Sequence, residues 1–242
     1  MRILLVSDLH YALKQLDWVA SVAATYEIVV IAGDVLDIES MVEPDTQIAV
    51  VLEYLARFAT KTTVVVSSGN HDLNARNEHD ERSAVWLAAA RGPRLFVDAA
   101  RLDTPHVMMT VCPWWDGPNS CAAIDRQFAE DAALVGDRLW IWVYHSPPVD
   151  SPTSWTGRRH YGDQELVDWI GRYEPAVVLC GHVHQAPFVR NGSWIDRVGS
   201  TVVFNSGRQI GPVPTHIEID TDNRLATWSS LAGVEERAFA DV

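Results

Sequence analysis

The chain has 242 residues, and its 19 lysines and arginines against 32 aspartates and glutamates give a formal net charge of −13. That length can bury one large core, and we expect residues 1–242 to form a single domain. The negative charge argues against binding to large nucleic-acid duplexes or to an anionic membrane, since both rely on basic patches.

The cellular location follows from the cysteines and the apolar runs. The three cysteines form no CxxC pair and leave an odd count, which is typical of reduced thiols. The N-terminal apolar run is too short for a signal peptide, and none approaches the roughly 18 residues of a membrane span. We therefore expect a cytoplasmic protein with no membrane partner, and the sequence leaves the oligomeric state open.

The first hundred residues predict alternating strands and helices. Apolar, β-branched runs predict strands over 2–7, 27–32 and 62–67, and a helix is expected over 15–25. Apolar residues recur at helical spacing from 48 to 58. Strands that alternate with helices pair in parallel through crossovers, and strands apolar on both faces indicate a sheet that is covered on both sides.

The second half is richer in strands. Candidate strands cover 107–111, 138–144 and 176–180, and a helix is expected over 164–172. Shorter candidates follow at 188–190, 201–204, 216–220 and 225–228, closely spaced as in an antiparallel sheet. The fold class predicted from these elements is α/β, with two stacked sheets flanked by helices.

Short polar clusters follow five of the apolar runs. Open α/β sheets place their ligands at the carboxyl ends of strands. Each cluster alone could be a turn or a helix cap, but five of the nine histidines fall in these clusters, together with the carboxylates of Asp8 and Asp34. Such a group of imidazoles and carboxylates predicts bound cations. The clusters are Ser7-Asp8-Leu9-His10, Gly33-Asp34-Val35-Leu36-Asp37, Gly69-Asn70-His71-Asp72, Tyr144-His145-Ser146-Pro147-Pro148 and Gly181-His182-Val183-His184.

In this order the five clusters resemble the calcineurin-like metallophosphoesterase superfamily, whose pattern is D-x-H, G-D-x-x-D, G-N-H-[DE], a strand-end H and G-H-x-H. The resemblance runs from Asp8 to His184, and no signature residue is missing. It implies a four-layer α/β/β/α sandwich and metal-dependent hydrolysis of phosphoric esters.

The resemblance also implies two metal ions and their ligands. Asp8, His10 and His184 would hold the first ion; Asn70, His145 and His182 would hold the second; Asp34 would bridge both. Nitrogen and oxygen ligands without thiolate favour divalent Mn, Fe or Zn over Mg or Ca. Two cations roughly 3.5–4 Å apart would lower the pKa of a shared water and offset charge on the phosphate.

Three further residues receive roles beside the ligands. His71 occupies the family's non-ligating position, where histidine acts as the general acid, so we expect it to protonate the departing alkoxide. Asp72 is expected to fix the tautomer of His71; the alternative is that His71 only packs near the metals. Asp37 is expected to orient a ligand such as His10, or else to cap a turn.

A long segment over 146–162 contains prolines and glycines and no apolar periodicity. Loops of this length are often functional, and Arg158, Arg159 and His160 on it suit phosphate or leaving-group contacts. The alternative is a solvated surface loop. Trp114 and Trp115 could stack on a nucleobase or aryl group, although core packing is the commoner use of tryptophan.

The function predicted from these residues is hydrolysis of a small phosphate-ester substrate, with phosphodiesters preferred. That preference depends on the small size of the chain, an open cleft and the His71 acid. One alternative is a phosphomonoesterase of small molecules. The other is a non-catalytic metal-binding scaffold, like the retromer subunit that resembles these enzymes but has lost ligating histidines.

Overall fold

The computed structural model describes residues 1–90 and 92–239. Within them the chain forms short strands and helices in alternation. The strands are β1 Arg2–Val6, β2 Ile28–Ala32, β3 Thr63–Ser67, β4 Ala75–Arg76, β5 Arg82–Ser83, β6 Leu95–Val97, β7 Arg101–Asp103, β8 Val107–Val111, β9 Leu139–Val143, β10 Val177–Cys180, β11 Ile195–Val198, β12 Thr201–Asn205, β13 His216–Asp220, β14 Leu225–Ser230 and β15 Gly233–Ala238. The α-helices are α1 Leu13–Val22, α2 Pro44–Ala59, α3 Val85–Ala89, α4 Pro118–Ala132 and α5 Gln164–Tyr173.

Two large sheets contain most of these strands. The first has the order β15-β14-β13-β1-β2-β3-β6, with β1, β2, β3 and β6 parallel and β13 to β15 antiparallel. The second has the order β11-β12-β10-β9-β8-β7, with a parallel centre and an antiparallel strand at each edge. Strands β4 and β5 form a separate small hairpin.

Alternating side chains along the strands build a layered core. In β1, Leu5 points into the apolar layer between the two sheets, while Leu4 packs against the helices that cover the first sheet. In β9, Ile141 and Val143 face the first sheet, and Trp140 and Trp142 face α4 and α5. The result is the predicted four-layer α/β/β/α sandwich.

Most predicted elements are confirmed to within a few residues, with three differences. The predicted strand over 188–190 is wrong, because the chain forms a 3₁₀ turn at Ala186–Phe188 there. Several elements were not predicted: α3, α4, β4, β5, β6, β7, β11 and β15. Of the longer ones, α4 buries only two apolar side chains and β15 is almost wholly exposed. Strand β12, expected in an antiparallel sheet, pairs in parallel with β10 and is antiparallel only to β11.

Two expectations concern the chain as a whole. The single domain over 1–242 stays a prediction, and residues 91 and 240–242 lie outside the described residues. Across 1–90 and 92–239, none of the helices has the length and apolar character needed to cross a bilayer. The cysteines in this part of the chain are free, with Cys112 and Cys180 buried.

Candidate metal centre

The five polar clusters follow strands that lie side by side. Asp8, Asp34 and Asn70 come two or three residues after β1, β2 and β3, which are neighbours in the first sheet. His145 and His182 come two residues after β9 and β10, which are neighbours in the second. The carboxyl ends of both sheets therefore meet at one rim, as the sequence predicted.

The backbone at this rim is unusual. Four of the candidate ligands adopt left-handed conformations, with φ of 54° at Asp8, 42° at His10, 53° at Asp34 and 66° at His182. Non-glycine residues rarely adopt this region, and a cluster of them is typical of functional sites, where the surrounding structure holds the strained conformation.

Two motif glycines are required by close approach. A Cβ on Gly33, whose φ is +84°, would overlap the imidazole of His145. A Cβ on Gly181 would overlap the carboxylate of Asp8 and the side chain of Ser7. Each glycine thus lets the turn of one motif pack directly against a candidate ligand from another motif.

One group of side chains matches the predicted site of the first ion. The Nε2 atom of His184 lies 3.2 Å from Asp8 Oδ1 and 3.1 Å from Nε2 of His10. One potential ligand atom from each of these three residues lies within 4.8 Å of the other two. Such spacing allows one cation to contact all three.

A second group adjoins it through Asp34. Asp34, His145 and His182 also bring their ligand atoms within 4.8 Å of one another, and Asp34 Oδ2 lies 3.2 Å from His145 Nε2. The same Asp34 oxygen is 3.9 Å from Nε2 of His10, in the first group. Asp34 therefore lies between the two groups, where the sequence placed the bridging ligand.

Two buried atoms in the described chain test whether this site suits metal ions. Asn70 Oδ1 and His145 Nε2 are shielded from solvent and make no hydrogen bond, although His145 Nε2 lies 3.2 Å from the Asp34 carboxylate. A buried polar atom without a partner is costly, and both atoms are good ligands for transition metals. The residues present therefore fit a pair of divalent ions.

The protonation of the imidazoles agrees with this fit. Burial lowers the pKa of His10 to about 4, and burial and the charge of His145 lower that of His182 to about 4. Burial also disfavours charge on His145, but the Asp34 and Asp8 carboxylates raise its pKa to about 9. Without a cation, a proton on His145 offsets the two carboxylates, while His10 and His182 keep free lone pairs.

Further hydrogen bonds hold the ligands in place. His145 Nδ1 lies 2.7 Å from the carbonyl oxygen of Ala32, so its Nε2 atom is left to face the site. The carboxylate of Asp8 accepts bonds from the His182 backbone N–H and the Ser7 hydroxyl. Ser7 in turn lies 2.7 Å from the buried hydroxyl of Ser206.

The expected partners of His71 need correction. Asp72 does not orient its ring, because the buried Asp72 carboxylate accepts the backbone N–H groups of Val35, Leu36 and Gly69. Burial, together with the charge of Asp34, raises the pKa of Asp72 to about 7. Asp72 thus ties two ligand-bearing loops together.

The Nδ1 atom of His71 accepts the backbone N–H of Ile38 at 3.4 Å, and Asp37 rather than Asp72 lies near it. The Asp37 Oδ1 atom lies 3.9 Å from His71 Nδ1, and Asp37 also caps a turn by accepting the Glu39 backbone N–H. It does not orient His10, whose ring instead packs edge-on against His71 with centroids 4.4 Å apart. The turn-capping alternative for Asp37 therefore holds, and the expectation that it orients a metal ligand such as His10 is wrong.

The loop over 146–162 lies beside the metal rim. Arg158 and Arg159 line a cleft of roughly 550 Å³ together with His182 and His184. His160 does not line it; its Nδ1 atom lies 2.9 Å from the Ser154 hydroxyl, so it stabilises the loop instead. The expected substrate contact at His160 is therefore not supported by its position.

Aromatic side chains that the sequence left without a firm role also lie at the rim. The Trp114 ring lies 5.3 Å from that of His182 and 5.7 Å from that of His145. The Tyr161 ring stacks on His182 at 5.1 Å. Tyr161 was missed altogether, and its only signal was an aromatic residue in a loop that follows a ligand.

The whole constellation can be compared with known proteins. Residues 1–222 match the sequence profile of the calcineurin-like phosphoesterase superfamily domain. The chain belongs to this superfamily. Its members use divalent metal ions, and the histidine and aspartate groups described above could hold them.

Solved structures show the same fold. TT1561 of Thermus thermophilus is 13% identical, with a TM-score of 0.62 and 98% of both chains covered. The purple acid phosphatase PPD1 from yellow lupin (Lupinus luteus) seeds is also 13% identical, with a TM-score of 0.56, over 100% of this chain and 52% of that one. A search of the curated proteins returns no match.

Proposed function

We propose that this protein hydrolyses phosphoric esters at a pair of divalent transition-metal ions, and that phosphodiesters are its preferred substrates. The observation that carries the proposal is the convergence of two carboxylates, four imidazoles and an unpartnered amide oxygen at one rim of the sandwich. This donor set is of the kind that holds Mn, Fe or Zn.

Seven of the residues at the rim would bind the metal ions, and His71 would donate a proton. Asp8, His10 and His184 would hold one ion, Asn70, His145 and His182 the other, and Asp34 both. Two ions in such a site supply a water of lowered pKa and offset the negative charge of the phosphate oxygens. Because the ligands come from loops of both sheets, the fold itself fixes the separation of the two groups.

The remaining requirement is a proton for the departing alkoxide, and His71 is placed to give it. Its backbone N–H donates to Asp34 Oδ1 at 2.8 Å, which fixes the residue beside the metal groups. Its ring lies between His10 and the carboxylate of Asp37 and lines a cleft of roughly 400 Å³. A leaving group in that cleft would have its oxygen within reach of the imidazole.

The preference for diesters is supported by the space around the rim. One cleft extends from His71, and two more extend from His182. A diester carries two organic groups on phosphorus and needs room on two sides of the phosphate, whereas a monoester needs room on only one.

Arg158 and Arg159 supply positive charge beside His182 and His184. Replacing both by alanine should raise KM for a diester about three- to tenfold and leave kcat unchanged, since charge-assisted hydrogen bonds to the substrate would be lost. Arg172→Ala, an exposed arginine on α5 that pairs with Asp125 at 2.9 Å, is the matched control. Unchanged kinetics in the double variant would remove these arginines from the site.

The experiment that tests the proposed function combines metal analysis with a substrate panel. Purified protein loaded with Mn should hydrolyse bis-p-nitrophenyl phosphate and alkyl aryl diesters faster than p-nitrophenyl phosphate. Activity on monoesters alone would overturn the diester preference. Bound metal with no turnover of any ester would favour the scaffold alternative and contradict the proposal.

A further inference from the structure

A cleft of roughly 400 Å³ beside the metal rim has aromatic walls. Trp114, Trp115 and Tyr161 line it together with His182, one of the candidate ligands. Its volume is within the range of sites that bind small organic molecules, and most such sites have aromatic linings. This feature is not needed to hold metal ions or to supply a proton.

The aromatic walls contact the ligands directly. The Tyr161 ring is nearly parallel to that of His182, at 22°, and remains 51% exposed at the rim. The Trp114 ring lies 5.7 Å from the His145 ring and 5.3 Å from the His182 ring. A flat group bound here would therefore lie next to the site proposed for the second ion.

Hydrogen bonds fix the tryptophan walls. The Trp115 indole N–H lies 2.7 Å from the Tyr144 hydroxyl and 3.0 Å from Asp163 Oδ2, and the Tyr144 hydroxyl donates to the same carboxylate. The backbone N–H of Trp114 donates to the Ser68 hydroxyl at 2.9 Å. These bonds hold the walls in place before a ligand arrives, which reduces the entropy cost of binding.

The charges in this cleft select against an anionic group. Asp116 and Asp163 line it, and none of its described lining residues is a lysine or arginine. Arg158 and Arg159 line the neighbouring cleft, which shares the Tyr161 wall. The Arg159 guanidinium lies 5.3 Å from the centroid of the Tyr161 ring, but the charged residues that line the aromatic cleft itself are carboxylates. The cleft thus suits an uncharged ring, including one with N–H donors for the Asp116 carboxylate.

The position of His71 decides which arm of a diester the cleft would hold. His71 lines the cleft formed with Asp37 and is not among the residues around Tyr161. Since the leaving oxygen must lie at His71 to receive its proton, the group in the aromatic cleft is the arm that stays on phosphorus.

We infer that the Trp114–Tyr161 cleft binds a planar aromatic group, a nucleobase or an aryl ring, on the retained arm of a phosphodiester. The inference rests on the proposed function and names its substrate class. A water oxygen bonds to phosphorus as the bond to the other arm breaks, and that arm leaves as an alcohol with a proton from His71. The proton that the water loses then restores the His71 imidazolium. The aromatic arm leaves as its phosphomonoester.

Substrates that share one leaving group test this inference. Methyl, phenyl and thymidine-5′ p-nitrophenyl phosphates all release p-nitrophenol and differ only in the retained arm. With the Mn-loaded protein, the phenyl or thymidine ester should have a KM about five- to tenfold below that of the methyl ester, as expected for stacking on aromatic side chains. Trp114→Ala and Tyr161→Ala should remove most of this difference, and Tyr161→Phe should keep it.

Phe188→Ala is the matched control, since Phe188 is a 40%-exposed aromatic residue outside this cleft. A lower KM for thymidine than for phenyl would identify a nucleobase, and the reverse order an aryl ring. Calorimetric binding of phenyl phosphate and methyl phosphate gives a readout without turnover, and the same variants should equalise the two affinities.

Equal KM values for all three esters, or a preference that both alanine variants retain, would overturn the inference while leaving the proposed function intact. No turnover of any of the three esters would instead count against the proposed function itself.

Discussion

Two regions of this protein bury carboxylates, and the regions differ in the partners that surround these carboxylates. At the metal rim, Asp8 and Asp34 lie among imidazoles, and neighbouring atoms are left without a partner. Under α4, the buried Asp131 accepts bonds from Arg101 at 2.9 Å and from the Thr110 hydroxyl at 2.6 Å. Thr110 itself accepts the indole N–H of Trp140 at 2.9 Å.

The difference shows that burial of a carboxylate does not by itself mark a functional site. The α4 network is satisfied by the chain's own donors and needs nothing more. The rim has left-handed backbone conformations and a ligand atom without a hydrogen-bond partner, and both fit a site for the proposed divalent ions. Substitutions in the rim should therefore affect metal content and activity, whereas those under α4 should affect stability.

The largest effect is expected from Asp34→Asn. This variant can still accept the His71 backbone N–H but loses the charge that lies between the two ligand groups. Bound metal should fall below two ions, and kcat/KM should fall by about a hundredfold or more, since even outer partners of metal ligands are worth 10–100-fold. Elemental analysis and steady-state kinetics measure both, and full metal content with full activity would refute the bridging role.

The next largest effect concerns the proton donor. His71→Ala should lower the rate on an alkyl ester roughly a hundredfold, because a poor leaving group depends on general-acid catalysis. The loss of rate should be much smaller for a p-nitrophenyl leaving group. Asp37→Asn should also lower the rate more for the alkyl ester than for the p-nitrophenyl ester, but by a smaller factor than His71→Ala. Equal losses on good and poor leaving groups would assign His71 a structural role.

The hydrogen bonds of Asp131 with Arg101 and Thr110 should affect stability and not metal binding. Asp131→Ala should lower the free energy of unfolding by roughly 1–3 kcal/mol, because it leaves the buried Thr110 hydroxyl without its acceptor. Metal content should not change. Asp125→Ala, which removes an exposed ion pair from the same helix, is the control and should cost less than about 1 kcal/mol. If Asp131→Ala lost its metal, the contrast between the two regions would fail.

The smallest effect concerns the other end of α4. Burial opposes charge on Glu81, but hydrogen bonds from Ser120 and Asn119 lower its pKa from 4.5 to about 2. A lowered pKa stabilises the fold above the unfolded value, and that stabilisation is lost as the pH falls toward the folded value.

The urea midpoints of wild type and Glu81→Gln should therefore differ by a constant amount above about pH 5. They should converge as the pH falls toward the pKa of Glu81 in the folded state. Glu130→Gln, an exposed position on the same helix, is the control and should show no such convergence. Parallel curves for Glu81→Gln down to the lowest pH would contradict the role of the Glu81 carboxylate as acceptor for the backbone N–H groups of Asn119 and Ser120 in the first turn of α4.

The sequence predicted the strands that carry the ligands because both layers of the sandwich bury them, so their apolar runs are unbroken. It did not predict α4, whose inward face depends on Ile124 and Phe128 alone, or β15, which lies at the edge of its sheet. Exposure removes the apolar signal on which such predictions depend.

The ligand-bearing motifs were predicted from residues close together in the chain, but the contacts among their neighbours were not. Asp72 adjoins His71 in sequence, yet its carboxylate bonds to other loops, while Asp37 faces the ring across the rim. Tyr161 reaches His182 only through the path of the loop. Such pairings depend on tertiary geometry, which short motifs do not encode.

The most direct test of the central claim is anomalous diffraction from a crystal of the Mn-loaded protein. The account predicts two strong peaks at the rim, one beside Asp8, His10 and His184 and one beside Asn70, His145 and His182, with Asp34 between them. A rim without peaks, or Mn bound elsewhere on the chain, would contradict it.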